Sequence, residues 1–324
     1  MTIAIVGLGA VGSALLYRFL RSSMDAVAVV RSRSIDRVSR GLRLVDVDGS
    51  LHEVHPRTVI PFERLEEVGL DSVEVVFVCT KVYDLAPVLE KLSRVSSPAC
   101  VVTVQNGFDP HGEALKLFGQ RAVHAVTTIA ATRLDDSTVR VHSWGRFVVG
   151  SRLGTTVCVE RVAQVLDRAG FEVQTVSDID GWIWRKLAIN ACINPLTALL
   201  RVRNGALRLE PLYTLCRDIV VEVIEVAKRL GIDIGDVVDE LDRVLSETSG
   251  NLSSMLQDVL RGRRTEIDWI CGAVTRLGKE VGLRTPLNEA LWRLVKALEV
   301  LGSESLSEAM VARALGMHDQ ANFR

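Results

Sequence analysis

The sequence predicts an α/β domain with a mostly parallel sheet followed by an all-α domain, and three observations carry that prediction. A glycine-rich turn, Gly7-Leu8-Gly9-Ala10-Val11-Gly12, lies between the first apolar run and the first helical stretch. Strand and helix signals alternate up to about residue 175. From about Asp180 the strand signals cease and long segments of 3.6-residue period take over. Alternation of the first kind implies parallel strands covered on both faces by helices. We place the boundary near 175–180 and divide the chain into residues 1–177 and 178–324.

Each element follows from its local pattern. Ile3-Ala4-Ile5-Val6 reads as a buried strand, with a helix to about Arg21 and a second β-branched run at Ala26 to Val30. Leu42 to Val47 and Leu51 to Val54 flank Asp48-Gly49, a hairpin signal because both central residues tolerate positive φ. Val73 to Cys79 and Cys100 to Val104 are further strands, each after a helical segment. Val123 to Ile129, then Val139 to Val141 and Phe147 to Val149 around Trp144-Gly145, predict an antiparallel finish. In the second half, helices are expected over 182–200, 210–230, 234–248, 252–260, 265–282, 286–301 and 304–315. Gly231, Gly250, Gly282, Gly302 and Gly316 fall where C-terminal caps belong, and Thr285 precedes Pro286 as an N-cap. Pro195 denies the Ala191 carbonyl its helical donor and should kink or end its helix.

Composition narrows the function classes. The 324 residues are 48% hydrophobic and 24% charged, which excludes a disordered chain. Lys and Arg number 39 against 40 Asp and Glu, a net charge of -1, so no overall field would hold a nucleic acid or an anionic membrane. No stretch approaches the roughly 18 consecutive apolar residues of a membrane span. The first strand follows Met1 directly, leaving no room for an export leader. Six cysteines (79, 100, 158, 192, 216 and 271) show no CxxC and no metal-ligand spacing with the histidines, so no metal site is expected. Most sit in apolar runs and read as reduced core residues of a cytoplasmic protein, with a structural disulfide as the alternative.

Gly7-x-Gly9-x-x-Gly12, set between a strand and a helix, is the fingerprint of a dinucleotide site. Gly7 permits the tight turn, Gly9 lets a pyrophosphate approach the backbone, and Gly12 lets helix and strand pack. The second strand ends Val30-Arg31-Ser32-Arg33, with no acid until Asp36. An acid there would hold the ribose of NAD(H), whereas Arg31, helped by the Ser32 hydroxyl, suits the 2′-phosphate of NADP(H). NADP(H) is therefore preferred over NAD(H); if the arginines are merely solvated, NAD(H) stays open. Two more strand ends turn polar at the ligand-binding edge of such a sheet, Thr80-Lys81 and Gln105-Asn106-Gly107. Lys81 and Asn106 there are candidate contacts to cofactor or substrate, though either residue in a loop is as often simply solvated.

Lys186, Asn190 and Asn194 are spaced four and four, so they stack along one face of an otherwise apolar helix. Desolvating an ammonium and two amides is costly without partners, which a bound substrate could supply. Lys186, with an ordinary pKa of about 10.4, is protonated at neutral pH and could act as a general acid. A third segment, Ser253-Ser254-Met255 running to Arg263-Arg264-Thr265-Glu266, reads by itself only as a helix end followed by a capped helix start.

Together these segments resemble the ketopantoate reductase (2-dehydropantoate 2-reductase) family. The matching pieces are the glycine turn, Gln105-Asn106-Gly107, the block from Lys186 through Asn190 and Asn194-Pro-Leu-Thr-Ala198, and Ser253-Ser254-Met255-x-x-Asp258 running into Arg263-x-Thr265-Glu266-Ile267. They occur in family order over nearly the whole chain. The resemblance implies a Rossmann-type domain joined to a helical domain like that of 6-phosphogluconate dehydrogenase, with the site in the cleft between them. It implies NADPH-dependent reduction of 2-dehydropantoate to (R)-pantoate, a step toward pantothenate and coenzyme A, by a homodimer. Carried over by motif, Lys186 is the general acid and Glu266 a catalytic acid at the cofactor–substrate junction. Asn106, Asn190, Asn194, Asn204 and Ser254 become substrate contacts. One departure is Cys271, where the family usually has Asn before Gly-Ala. The alternatives are a related keto-acid or imine reductase on the same scaffold, or a non-catalytic NADP(H)-binding sensor.

Overall fold

Valine and isoleucine crowd the runs that become strands, while leucine and alanine at helical spacing fill the segments between them. The computed structural model describes residues 2–97 and 99–301. Twelve strands are β1 (Thr2–Val6), β2 (Asp25–Val30), β3 (Leu42–Val45), β4 (Leu51–Val54), β5 (Thr58–Pro61), β6 (Val73–Val78), β7 (Cys100–Thr103), β8 (Ala122–Thr127), β9 (Ala130–Arg133), β10 (Thr138–Ser143), β11 (Arg146–Gly150) and β12 (Glu172–Val176). The helices of the first half are α1 (Ala10–Arg21), α2 (Ile35–Ser39), α3 (Leu65–Val68), α4 (Leu85–Ser93), α5 (Pro110–Phe118) and α6 (Val157–Arg168). Those of the second are α7 (Ile179–Leu200), α8 (Leu212–Arg229), α9 (Val237–Glu247), α10 (Ser254–Val259), α11 (Cys271–Glu280) and α12 (Pro286–Leu301). The expected helix 304–315, with Gly302 and Gly316, lies outside the described residues.

The main sheet runs β12-β11-β8-β7-β6-β1-β2-β5. From β5 to β8 it is parallel and follows the strand order of a dinucleotide-binding domain, reversing between β2-β1 and β6. One face is covered by Leu15, Leu16 and Phe19 of α1 with Val159, Val162 and Leu166 of α6. The other is covered by Leu65 of α3 and Leu85, Leu89 and Leu92 of α4. Both faces are thus buried, which is why the strands read as continuous apolar runs.

The antiparallel finish is only partly as expected. β11 does run antiparallel to β8, but β10 leaves that sheet. It joins a second sheet, β4-β3-β10-β9, which contains the Asp48-Gly49 hairpin. The chain crosses between sheets at Trp144-Gly145. Gly145 has φ +53°, and a Cβ there would lie 2.5 Å from the Thr128 main chain. Trp144 stacks on Tyr17 and donates its indole N–H to Asp46 at 2.8 Å, which ties the crossing to α1 and the second sheet.

In the second half α7 is buried on almost every side, from Ile183 and Trp184 to Thr197 and Ala198. It runs through Pro195 to Leu200, close to the expected 182–200, so of the two outcomes expected at that proline an end to the helix does not occur. Packing on all sides outweighs one lost hydrogen bond. The expected helix 265–282 breaks instead, into a 3₁₀ turn at Ile267–Trp269 followed by α11. The Thr285 hydroxyl is engaged with Thr275 at 3.5 Å, and Glu222 of α8 accepts the Leu287 and Asn288 amides at the start of α12, each at 2.9 Å. Cys100 and Cys158 form a disulfide with Cα atoms 5.5 Å apart. The alternative of a structural disulfide is the one realised for this pair, which corrects their reading as reduced core residues: the partners lie 58 residues apart, and only folding brings the start of β7 against the start of α6. Cys79, Cys192, Cys216 and Cys271 are free. No described helix is long and apolar enough to cross a membrane.

Candidate active site

A cleft of about 1180 Å³ opens between the carboxyl ends of the parallel strands and α7, α9 and α10. Its floor is the glycine turn. Gly7 has φ +92°, a conformation that disfavours any side chain, and a Cβ there would meet Thr80 at 2.8 Å. A Cβ at Gly12 would lie 2.1 Å from the Gly7 carbonyl oxygen, so Gly12 locks helix to turn and does not itself line the cleft. At Gly9 an added Cβ would meet no described atom within 4 Å. That open side, with no capping side chain and no acid in the first turn of α1, suits an anionic pyrophosphate. The residues present therefore fit a dinucleotide.

At the end of β2 the Arg31 guanidinium pairs with Asp84 at 2.9 Å. The Ser32 amide and hydroxyl donate to Glu63 at 2.9 and 2.7 Å, so the hydroxyl expected to serve a phosphate is already engaged. Arg33, Ser34 and Arg37 line the cleft in its stead.

The ends of β6 and β7 carry the polar centre. Lys81 donates to Asp258 at 2.6 Å and lies 3.6 Å from Glu266. Burial opposes its charge, but the Glu266 and Asp258 carboxylates outweigh burial and hold the ammonium above the usual lysine range. Burial likewise pushes the Asp258 carboxyl up, with Lys81 opposing. Glu266 is buried and accepts from the Val82 amide at 3.2 Å and the Asn106 carboxamide at 3.3 Å. Gln105 donates to the carbonyls of Val78 and Thr80, fastening the two strand ends side by side.

Across from them, the polar face of α7 meets the cleft. Lys186 donates from Nζ to the Thr127 carbonyl at the end of β8, 2.7 Å away. Burial pushes its pKa down to about 8, with the Glu266 carboxylate opposing. Asn190 and Asn194 follow at one-turn intervals on the same wall, Asn194 buried. Asn204 donates to the Thr248 hydroxyl at 3.0 Å, while its own carbonyl oxygen is buried without a partner among the described residues. Ser253 caps α10 and accepts from Thr197 at 2.7 Å, which leaves Ser254 beside it on the cleft.

Thus Gly7, Leu8, Gly9, Ala10, Val11, Arg31, Lys81, Asn106, Lys186, Asn190, Asn194, Asn204, Ser254 and Glu266 all meet one cleft, and Gly12 stands behind it. Cys271 is not on the cleft; its thiol lies in the helical core, 3.3 Å from the Ala191 carbonyl. Sequence reasoning assigned no part to Asp258 or Thr127. Asp258 ends the Ser253-Ser254-Met255-x-x-Asp258 motif, but its pairing with Lys81 spans 177 residues. Thr127 acts through its main chain, which leaves no sequence signal.

Comparison with known proteins settles the family. Residues 3–154 match the family model for ketopantoate reductase PanE/ApbA, and residues 178–299 match the model for its C-terminal part. The chain is 33% identical over 299 residues to a 2-dehydropantoate 2-reductase of Archaeoglobus fulgidus, covering 92% of this chain and 97% of that one. The chain belongs to the ketopantoate reductase family. It is accordingly an oxidoreductase of the 2-dehydropantoate 2-reductase type. Among solved structures, a 2-dehydropantoate 2-reductase from Geobacter metallireducens is similar at a TM-score of 0.84, with 26% identity over 92% of this chain and 99% of that one. A D-mandelate dehydrogenase, solved with NADH and anilino(oxo)acetate, is similar at a TM-score of 0.85, with 24% identity over 94% of this chain and all of that one. The last likeness is one of fold. In this ketopantoate reductase family member the two matched regions meet at the cleft described above.

Proposed function

We propose that this protein reduces 2-dehydropantoate to (R)-pantoate with NADPH, in the synthesis of pantothenate and coenzyme A. The observation that carries this reading is the Lys186 ammonium, anchored on Thr127 and facing a cleft that joins a dinucleotide turn to asparagine, serine and glutamate side chains. Residues 1–177 form the cofactor domain and residues 178–324 the substrate and dimerisation domain.

When bound, the reduced nicotinamide supplies a hydride to the 2-keto carbon. The carbonyl oxygen then gains alkoxide character and needs a cation or proton beside it. Lys186 serves as both: it donates a hydrogen bond to the oxygen and then its proton, ending as a neutral amine. A pKa of about 8 suits this, because the group is protonated at neutral pH yet gives up its proton readily. Asn106, Asn190, Asn194, Asn204 and Ser254 orient the carboxylate and hydroxyls without adding like charge. Glu266 accepts from Asn106 and anchors the substrate hydroxyl. Lys81, held by Asp258 and Glu266, offsets their negative charge and keeps an ammonium at the edge of the cleft beside the cofactor. Beside β2, three guanidinium groups (Arg31, Arg33 and Arg37) line the cleft with the Asp84 carboxylate, while the Glu63 carboxylate is turned to Ser32; this excess of cations favours the 2′-phosphate of NADPH over NADH. The proposal extends to a homodimer acting in the cytoplasm, in which exposed side chains of the helical half such as Leu209, Val221 and Leu294 would be covered.

The test is loss of nicotinamide absorbance with 2-dehydropantoate, run with NADPH and NADH in parallel and repeated with other 2-keto acids and cyclic imines. The highest kcat/KM for 2-dehydropantoate with NADPH is the expected outcome. A higher value for another keto acid or an imine would move the substrate assignment, since one scaffold hosts several substrates. Cofactor binding without turnover of any substrate would favour a sensor.

A further inference from the structure

Beside Lys186 lies a second, small cavity of about 10 Å³, bounded by Gln105, Asn106, His124, Val126, Ile183 and Lys186, among others. That volume is at the lower limit for a single water molecule. His124, on β8, is 2% exposed. Its Nδ1 lies 2.8 Å from the Thr103 hydroxyl, and that hydroxyl lies 3.4 Å from the Val123 carbonyl. Nε2 has no hydrogen-bond partner among the described residues, although it is not sealed from open space, and the small cavity is the space the ring borders.

We propose that this cavity holds one ordered water linking Lys186 to His124, and that His124 is a positioning residue for the reduction, acting through that water. The donors and acceptors run in one direction. Lys186 commits one N–H to Thr127 and directs a second to the substrate oxygen, so the third donates to the water. The water donates one hydrogen to His124 Nε2 and the other to the Asn106 carbonyl oxygen, whose own NH₂ is committed to Glu266. The imidazole carries its proton on Nδ1 and donates it to Thr103, and Thr103 donates to the Val123 carbonyl. Every polar atom in the chain is then paired, as a buried network requires. A neutral ring is needed at the far end. The groups facing it are His111 of α5, itself held down to a pKa of about 4, Lys186 of α7 and Arg152 after β11; burial first, with these neighbours, keeps His124 well below the usual histidine range. Facing Lys186 itself is Glu266.

The inference rests on the reading of Lys186 as proton donor, and the test separates the two. Full-length protein carrying His124→Leu or His124→Gln is compared with the parent in the 2-dehydropantoate and NADPH assay, across pH. His124→Leu is expected to lower kcat about tenfold, the size of a lost hydrogen bond to a charged group. It should also move the alkaline fall of kcat to lower pH while both KM values hold. His124→Gln, which keeps an acceptor near Nε2, should recover most of both effects. Parent-like kcat and alkaline limb in His124→Leu would overturn the proposal, as would equal losses in both variants with no shift of that limb. On the parent protein, ¹⁵N shifts assigning the histidine proton to Nδ1, with water density in a crystal at this place, are expected. An Nε2–H tautomer or an empty cavity in the crystal overturns the hydrogen-bond chain whether or not the variants fold. A parent protein that turns over no 2-keto acid would instead sink the functional reading, and with it the catalytic part of this inference.

Discussion

Lys186 of α7 reaches across to the main-chain carbonyl of Thr127 on β8, 2.7 Å away, so the amine of the helical half is aimed by the sheet of the other half. Removing the amine should leave the glycine turn untouched. Lys186→Ala is expected to lower kcat by about 10²–10⁴-fold, with NADPH affinity, read by fluorescence titration, nearly unchanged. Undiminished turnover would take Lys186 out of the chemistry.

The depressed pKa of Lys186 sets a pH dependence. Reduction requires the protonated amine, so kcat/KM should be level below the free-enzyme value of about 8 and fall about tenfold per pH unit above it. Stability carries the opposite sign. The unfolded chain holds this proton more firmly, so Lys186 weakens the fold most below pH 8 and less as pH rises through that value. Lys186→Met should therefore raise the melting temperature at pH 7 while abolishing activity. A kcat/KM profile level to pH 10 would contradict the assignment.

The second and third glycines of the turn should fail in different ways. Gly12→Ala drives a Cβ into the Gly7 carbonyl and is expected to cost about 1–3 kcal/mol in urea titrations. Gly9→Ala meets no protein atom, so stability should hold while NADPH affinity falls. Equal stability losses at both positions would count against Gly9 as the phosphate approach.

Lys81 separates the buried carboxylates of Asp258 and Glu266. Lys81→Met should destabilise the protein by about 1–3 kcal/mol, less than a fully buried pair because the lysine retains some exposure. The Asp258 carboxyl, already pushed up by burial, should take up a proton as pH falls and relieve the repulsion. The loss should accordingly shrink from pH 8 toward pH 4; a pH-independent loss would argue that packing alone is at stake.

The Cys100–Cys158 link closes a loop of 58 residues. Replacing both with Ala should lower stability by roughly 4 kcal/mol on chain-entropy grounds, with kcat unchanged because neither residue lines the cleft. The check is thermal unfolding of the double variant beside the parent, with and without reductant. A parent insensitive to reductant and matched by the double variant would exclude the bond.

What the sequence by itself determined was whatever depends on neighbours along the chain. The glycine turn between β1 and α1, the Asp48-Gly49 hairpin and the one-turn spacing of Lys186, Asn190 and Asn194 all rest on local geometry and periodicity. What only the tertiary structure decided were pairings over long separations and groups that act through the main chain. The bond from Lys81 to Asp258, the Thr127 carbonyl beneath Lys186, the Cys100–Cys158 bridge and the departure of β10 into a second sheet leave no periodic trace. Ser32 turned to Glu63, and Thr285 gave up its capping place to Glu222, for the same reason. A short polar side chain bonds to whichever partner folding brings near, and its neighbours in sequence do not decide which one that is.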